Sequence, residues 1–287
     1  MKAVKIGNRF VGDGNPCFIV AEIGINHNGS IQLALELINV AKESGCDAVK
    51  FQKRTVDVVY SKEELEKPRE SFFGDTNGDL KNGLEFGKEH YKVINDECKR
   101  LGIMWFASCW DEASVDFVDT FGPPCYKIAS ASITDDSLLK HHLSKNKPII
   151  LSTGMSTIDE IEHAVSLLDR NNLIILHCNS TYPSKSEELN LSCIKSFERR
   201  FRVPIGYSGH EVGLQTTIAA ATLGACIVER HITLDRSMWG SDQAASVEPQ
   251  GMRRIVRDIR EVEKAMGDGI KKVYDSEIPI REKLRRV

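Results

Sequence analysis

Eight short apolar runs alternate with amphipathic segments along almost the whole chain of 287 residues, and this alternation restricts the possible folds more than any other feature. The length of the runs suits buried strands, and the spacing of apolar residues in the intervening segments suits helices. The runs are CFIVAEI (17–23), DAVKFQ (47–52), IMWFAS (103–108), CYKIAS (125–130), PIILST (148–153), LIILHC (173–178), PIGYS (204–208) and CIVERHI (226–232). Helix-like segments include 30–45, 87–102, 135–146, 157–171, 214–225 and 249–269, several of them closed by Gly or Asn.

The number of strand–helix units favours a closed barrel. Eight units in a chain of 287 residues match the (β/α)8 TIM barrel, in which parallel strands close on themselves inside a layer of helices. An open, doubly wound sheet is the alternative, but no GxGxxG turn follows the first run. We therefore predict an α/β protein with a (β/α)8 barrel.

The segment before the first run predicts a β-hairpin. VKIGNRFVGDG (4–14) alternates in character and contains a Gly-rich turn, which would suit a hairpin that closes the bottom of the barrel. The predicted organisation is a single domain over residues 1–287, made of a hairpin at 1–16, a barrel at 17–270 and a tail at 271–287. The connection from about Lys53 to Phe86 is polar and long, and long connections in compact domains are more often functional than idle.

Composition excludes several classes of function. The formal net charge of −3 provides no basic field for nucleic acid or for an anionic membrane surface. No apolar run is long enough to cross a bilayer, and the first residues lack the apolar core of a signal peptide. The eight cysteines are scattered singly without a CxxC pair, which is typical of reduced thiols. We therefore expect a cytoplasmic protein with neither nucleic acid nor membrane as partner.

Polar residues collect where the apolar runs end, which is where a TIM barrel carries its chemistry. They are Glu22, Asn26, Lys50, Gln52, Ser108, Lys127, Ser130, Ser152, Thr153, His177, Asn179, Ser180, Ser208, His210, Glu229 and His231. Taken singly, Asn26, Ser108 and Thr153 are predicted to be helix caps or turn formers. Together, however, two Lys, two His and two Glu at one rim would be a costly cluster unless ligands compensate it.

Residues two apart on a strand share a face, so three pairs at this rim are expected to point together into the barrel mouth. The pairs are Lys50 with Gln52, Ser208 with His210, and Glu229 with His231. Arg230 has the opposite parity, and the pattern does not place it in a site.

The residue types at the rim indicate anion binding beside a metal ion. Lysines surrounded by hydroxyl donors suit phosphate or carboxylate oxygens. His210 and His231, on neighbouring strands, suit a divalent metal, with Glu229 as a further candidate ligand. Glu22 is a candidate general acid or base.

Seven stretches together resemble the N-acetylneuraminate (sialic acid) synthase family, whose members condense phosphoenolpyruvate with a sugar aldehyde. They are AEIGINHNG (21–29), AVKFQ (48–52), YKIAS (126–130), ILSTGMST (150–157), LHCNSTYP (176–183), PIGYSGHEVG (204–213) and VERHITLDRSMWGSDQAASVEP (228–249). The resemblance covers the predicted barrel in order. Many bacterial members also carry a C-terminal antifreeze-like domain, which we expect this chain to lack.

The resemblance implies roles for individual residues. Lys50, Lys127, Ser130, Ser152, Ser180 and Ser208 would hold phosphoenolpyruvate, and Gln52, Tyr182 and Asp242 would contact the sugar. His210 and His231 would bind Mn²⁺ or Mg²⁺, and Glu22 would be the essential acidic residue. The family also suggests a homodimer.

The implied reaction joins phosphoenolpyruvate to N-acetylmannosamine, or to its 6-phosphate, and releases phosphate from a nine-carbon 2-keto-3-deoxy sugar acid. Three alternatives remain open from the sequence. They are a related synthase that uses another aldose, a Schiff-base pyruvate aldolase with Lys50 or Lys127 as nucleophile, and a sugar-binding barrel whose site has decayed.

Overall fold

Each of the eight apolar runs forms a strand in the computed structural model, which describes residues 3–286. The strands of this part of the chain are β1 (Val4–Ile6), β2 (Arg9–Val11), β3 (Phe18–Gly24), β4 (Ala48–Lys53), β5 (Pro68–Ser71), β6 (Gly74–Thr76), β7 (Met104–Cys109), β8 (Tyr126–Ile128), β9 (Ile149–Ser152), β10 (Leu173–Cys178), β11 (Ile205–Gly209) and β12 (Ile227–His231). The helices are α1 (Ile31–Glu43), α2 (Val56–Val59), α3 (Lys62–Leu65), α4 (Asn77–Leu84), α5 (Lys88–Leu101), α6 (Glu112–Asp119), α7 (Asp136–Ser144), α8 (Ile158–Leu167), α9 (Cys193–Phe201), α10 (Gln215–Thr222), α11 (Pro249–Met266) and α12 (Ile278–Leu284).

Eight parallel strands close into a barrel in the order β3-β4-β7-β8-β9-β10-β11-β12, and β12 pairs with β3. A helix of the outer layer follows each strand, so the predicted (β/α)8 TIM barrel is confirmed. The register places Glu22 beside both His231 and Lys50, and Ser208 beside Glu229. Residues far apart in the sequence therefore meet at one rim.

Two apolar clusters divide the barrel strands by parity. Side chains such as Val49, Phe51 and Val228 pack between the strands and the helix layer. Phe18 and Phe106, of the opposite parity, fill the interior. Because apolar residues fill the interior near the N-terminal ends of the strands, polar side chains of that parity lie at the C-terminal ends.

The predicted N-terminal hairpin is confirmed as the antiparallel pair β1–β2. Its residues Val4, Ile6 and Val11 are buried against the interior cluster of the barrel. Gly7 makes the turn with a φ of 57°, a value that favours glycine. The hairpin therefore seals the end of the barrel opposite to the polar rim.

The long connection after β4 contains regular structure, which the sequence patterns do not predict. It holds the one-turn helices α2 and α3, the hairpin β5–β6 and helix α4. Thr76 and Asp79 form a capping box that begins α4. Helices α2 and α3 and strands β5 and β6 span only three or four residues each, too few to show an apolar period, so the sequence patterns do not reveal them.

Beyond α11, the described residues run over the surface. All side chains from 267 to 286, including those of α12, are exposed. Within residues 3–286, no helix combines the length and the apolar character that crossing a membrane requires.

Candidate active site

The C-terminal ends of the barrel strands surround a cavity of about 180 Å³. Its lining includes eleven of the twelve side chains predicted for the site: Glu22, Lys50, Gln52, Lys127, Ser130, Ser152, Ser180, Tyr182, Ser208, His210 and His231. The twelfth, Asp242, lies against His231 with a carboxylate oxygen 3.8 Å from Nδ1. Strand closure therefore brings together residues that the sequence scatters over more than 200 positions.

Lys50 lies between two buried carboxylates on the floor of the cavity. Its ammonium nitrogen is 3.3 Å from Glu22 Oε2 and 3.1 Å from Glu229 Oε1. It also donates to the Ser108 hydroxyl at 3.1 Å, and Ser208 donates to Glu229. Burial disfavours the charge of Lys50, but the two carboxylates outweigh it and raise the pKa of Lys50. Lys50 is therefore a fixed cation.

The two carboxylates beside Lys50 differ in their proton affinity. Burial raises the pKa of Glu22 to about 7, against the attraction of Lys50 and a hydrogen bond from Gln52. Burial also opposes ionisation of Glu229, but Lys50 and Lys127 outweigh it and lower the pKa of Glu229 to about 2. Glu229 is thus a permanent anion, whereas Glu22 can gain or lose a proton near neutral pH.

Lys127 provides a second cation on the other side of the floor. Its ammonium donates to the Ser152 hydroxyl at 2.6 Å and to the Ile128 carbonyl. Burial lowers the pKa of Lys127 to about 8, with only partial compensation from Glu229. This lysine is therefore largely charged at neutral pH and loses its charge under mildly alkaline conditions.

A cradle of small side chains lies beside the two lysines. The backbone N–H of Gly154 donates to Ser130 Oγ at 2.9 Å, and Ser130 Oγ lies 3.3 Å from Cys178 Sγ. A Cβ at Gly154 would lie 2.1 Å from Ser180 Oγ. Position 154 must therefore be glycine if the serine hydroxyls are to keep this arrangement, which suits oxygens of a small anion.

His210 and His231 face each other on the opposite wall, with ring centroids 5.6 Å apart. The Nδ1 atom of His210 lies against the Asn179 carbonyl, which can only accept, so Nδ1 carries the proton and Nε2 presents a lone pair. The Tyr182 hydroxyl lies 2.9 Å from that Nε2. Burial lowers the pKa of His210 to about 4, so the imidazole is neutral near pH 7.

The ring nitrogens of His210 and His231 are suitable ligands for a divalent cation. Nδ1 of His231 is buried without a hydrogen-bond partner, and burial lowers the pKa of this imidazole too. Neutral imidazole nitrogens are common ligands of Mn²⁺ and similar ions. Among residues 3–286, no group of three or more His, Cys, Asp and Glu side chains could hold a metal ion. The chain would therefore supply two nitrogens, and substrate or water the remaining ligands.

Some polar residues at the strand ends take other positions. His177 faces the helix layer, where Nε2 contacts the Leu189 carbonyl at 2.7 Å. Asn26 and Thr153 have structural roles, since each donates to a backbone carbonyl of a neighbouring strand or loop. Ser108 lies within β7 and lines the cavity, so the prediction of a cap or turn role for it is wrong.

Trp110, Met155 and Cys178 also line the cavity, although the sequence patterns do not predict them there. Cys178 has the same parity as Leu176, which lies in the interior cluster. That parity is a signal that could have found Cys178 and excluded His177. No comparable signal marks Met155, which is in a loop.

Arg230 lies on the outer side of β12, as its parity indicates, and is almost fully buried. Its guanidinium pairs with Glu211 at 3.2 Å and donates to Thr217 at 2.6 Å. Glu211 directly follows His210, and Arg230 directly precedes His231. The residues next to the two histidines therefore form an ion pair behind the site.

Comparison with known proteins finds relatives that match over most of the chain. The chain is 38% identical to the N-acetylneuraminate-9-phosphate synthase of Mus musculus, with 96% of this chain and 78% of that protein covered. It is 38% identical to the N,N'-diacetyllegionaminic acid synthase of Legionella pneumophila, with 96% and 80% covered. A crystal structure of an N-acetylneuraminic acid (sialic acid) synthetase from Leptospira borgpetersenii superposes with a TM-score of 0.87 at 31% identity, covering 100% of this chain and 98% of that one.

The match to a protein family is equally extensive. Residues 37–271 match the NeuB family, a span that runs from α1 to just beyond α11 and includes seven of the eight barrel strands. The remaining barrel strand, β3, carries Glu22 and lies within the regions shared with the relatives above. The barrel, the polar rim and these similarities together show that the chain belongs to the NeuB family.

Proposed function

We propose that this protein condenses phosphoenolpyruvate with N-acetylmannosamine, or with its 6-phosphate, to give a nine-carbon 2-keto-3-deoxy sugar acid and phosphate. One observation carries the proposal. A single cavity holds two lysines with a serine cradle on one side and two neutral histidines on the other. The first set suits an anionic three-carbon donor, and the second suits a metal-assisted carbonyl acceptor.

Phosphoenolpyruvate would bind to Lys50, Lys127 and the hydroxyls of Ser130, Ser152, Ser180 and Ser208. Two cations close to small hydroxyl donors can satisfy both a phosphate and a carboxylate. Glu229 does not bind the anion; its charge keeps Lys50 protonated and fixed at 3.1 Å. The lysines would then stabilise the charge that develops on the phosphate as its C–O bond breaks.

The acceptor sugar would lie against Gln52, Tyr182 and Asp242 in its open-chain form. Arg54 donates to Gln52 Oε1 at 2.6 Å, so the amide of Gln52 is held in one orientation. Tyr182 stacks close to His210, with ring centroids 4.1 Å apart. These contacts would bring the aldehyde carbon towards the donor, and such orientation lowers the barrier to bond formation.

His210 and His231 would hold Mn²⁺ or Mg²⁺. When bound, the metal would polarise the aldehyde as a Lewis acid. The enol carbon of phosphoenolpyruvate forms the new C–C bond to the aldehyde carbon, and the aldehyde oxygen takes a proton. Water then adds to the former enol-ether carbon, and phosphate departs.

Glu22 is suited to proton transfer in this reaction. Its pKa of about 7 allows it to donate a proton to the new hydroxyl or to accept one from the attacking water near neutral pH. Within the described residues its Oε2 atom accepts no hydrogen bond and has only the Lys50 ammonium, 3.3 Å away, as an ionic neighbour, so it retains capacity to contact a substrate. We assign the proton transfer to Glu22.

A Schiff-base pyruvate aldolase is the second candidate, because Lys127 has a pKa lowered by burial. Lys50 is unsuited to that chemistry, since its two carboxylates hold it in the protonated form. Borohydride in the presence of pyruvate would trap a covalent adduct on Lys127 if this alternative were correct. A synthase would give no adduct and would lose its activity to a chelator.

The deciding experiment measures phosphate release from phosphoenolpyruvate with N-acetylmannosamine, its 6-phosphate and mannose, each with and without manganese. We expect release with at least one acetamido sugar, dependent on the metal. Release with mannose alone would shift the assignment to a related synthase. No release with any sugar would contradict the proposal. We also expect a homodimer, which sedimentation would test.

A further inference from the structure

The strand ladder that carries the two histidines ends just before it reaches them. The last register pair between β11 and β12 is Gly209 with Arg230. His210 lies one position beyond β11, and His231 is the final residue of β12. Backbone pairing between these two strands therefore does not extend to the position where the imidazoles face each other.

The side chain of Arg230 makes the connection that the ladder lacks. Its Nη2 donates to the backbone carbonyl of Glu211 at 2.5 Å, and its Nη1 donates to that of Gly213 at 3.0 Å. Both carbonyls belong to the loop that directly follows His210. The Arg230 guanidinium, on β12, thus holds the backbone that directly follows β11 and His210.

The Glu211 carboxylate completes the arrangement. It pairs with Arg230 and also accepts hydrogen bonds from Tyr207 at 2.9 Å, Thr216 at 2.6 Å and Thr217 at 3.1 Å. Arg230 and Glu211 are only 2% and 1% exposed. A buried charge pair is costly to desolvate and holds one geometry only when such hydrogen bonds satisfy it.

Gly209 leaves the space that this pair occupies. A Cβ at Gly209 would lie 2.6 Å from Glu211 Oε2 and 3.0 Å from Arg230 Cδ. In the sequence YSGHE, Gly209 leaves the space, His210 is the metal-ligand candidate, and Glu211 is the anion that pairs with Arg230. Neither Arg230 nor Glu211 lines the cavity.

We propose that Arg230 and Glu211 are positioning residues that set the separation of His210 and His231, and with it the affinity for the divalent cation. The inference rests on the proposed function, because it takes the two histidines as the metal ligands. Partners behind metal ligands commonly change affinity without touching the metal.

The test is calorimetric titration of Mn²⁺ into the metal-free protein, with no substrate present. Glu211→Gln and Arg230→Lys each keep the size of the side chain but disturb the pairing. We expect each to weaken Mn²⁺ binding by about 10- to 100-fold. Phosphoenolpyruvate affinity should change by less than about twofold, because Lys50 and Lys127 keep their contacts. A loss of both affinities together would show a general loss of fold and would overturn the proposal.

Arg260→Lys is the matched control. Arg260 bonds Asp47 and the Cys17 carbonyl, which directly precedes β3 and lies at the opposite end of the barrel. We expect it to leave Mn²⁺ affinity unchanged. Should the larger changes prevent folding, Thr217→Val removes the hydroxyl that accepts from the guanidinium and donates to Glu211, and it should weaken Mn²⁺ binding in the same direction. Folded variants with the affinity of the parent protein would overturn the positioning role alone, whereas a parent protein without Mn²⁺ affinity would overturn the metal assignment as well.

Discussion

Lys50 and Glu229 form a buried ion pair, 3.1 Å apart, on the floor of the barrel cavity, and each residue is less than 5% exposed. The pair joins β4 to β12 across β3, which contributes Glu22 to the same cluster. The Lys50 ammonium therefore pairs with both carboxylates, and its charge favours the ionised form of each. This arrangement links the stability of the barrel to the chemistry of its site.

Removing the shared cation should destabilise the fold. Lys50→Gln leaves Glu22 and Glu229 buried without their cation, and we expect the free energy of unfolding to fall by about 3 kcal/mol. Urea denaturation measures this change. Lys88→Gln, at an exposed position, is the control and should have little effect. Equal stability of both variants would contradict a structural role for the pair.

Alkaline pH should weaken phosphoenolpyruvate binding through Lys127. The pKa of this lysine is lowered to about 8, so the ammonium is present below that pH and is lost above it. The KM for phosphoenolpyruvate should therefore rise as pH passes through about 8. In Lys127→Arg the charge persists at high pH, so the rise should vanish. A rise of the same size in that variant would assign the titration to another group.

The Glu22 carboxyl should be needed for turnover rather than for binding. Glu22→Gln keeps the shape and the neighbours of the side chain but cannot exchange a proton. We expect kcat to fall by about 10²- to 10⁴-fold with substrate affinity nearly unchanged. Separate measurements of binding and single turnover test this. Retained turnover would rule out Glu22 as the proton-transfer group.

Gly154→Ala should damage the serine cradle without harming the fold. The new methyl group would overlap Ser180 Oγ and crowd Ser130 Oγ, so phosphoenolpyruvate affinity should fall about tenfold or more. Gly87→Ala is a matched control, because a Cβ there meets no atom within 4 Å and the backbone φ of −89° suits alanine. Similar affinities in the two variants would show that the cradle does not hold the anion.

A phosphorylated acceptor should be preferred over a neutral one. A second cavity, of about 290 Å³, is lined by two cations, Arg69 and Lys81, by one carboxylate, Glu70, and by Ser241, the neighbour of Asp242. The Lys81 ammonium lies 5.0 Å from the centroid of the Tyr60 ring. In a double variant with Arg69→Gln and Lys81→Gln, the KM for the 6-phosphorylated sugar should rise by about tenfold, and that for the unphosphorylated sugar should stay constant. Equal changes for both sugars would contradict a role of these cations in acceptor choice.

Much of the rim could be predicted from sequence because two strong patterns agree. The eight apolar runs predict the barrel strands to within a residue or two, and the barrel fold places their polar ends together. The parity of Lys50 with Gln52 and of Glu229 with His231 then predicts the inward face correctly. Polarity alone misleads at β10, where all six residues are buried and His177 is the more polar candidate; only parity with the interior residue Leu176 selects Cys178 instead.

By itself, the sequence determined the order of strands and helices, the polar strand ends and the resemblance to one family, because these depend on local pattern and spacing. Only the tertiary structure decided how the charges are shared: that Lys50 serves two carboxylates, that burial sets the pKa of Glu22 near 7, and that Arg230 binds the loop after His210. Proton affinity and ion pairing depend on distance and burial, and both exist only once β12 has closed against β3.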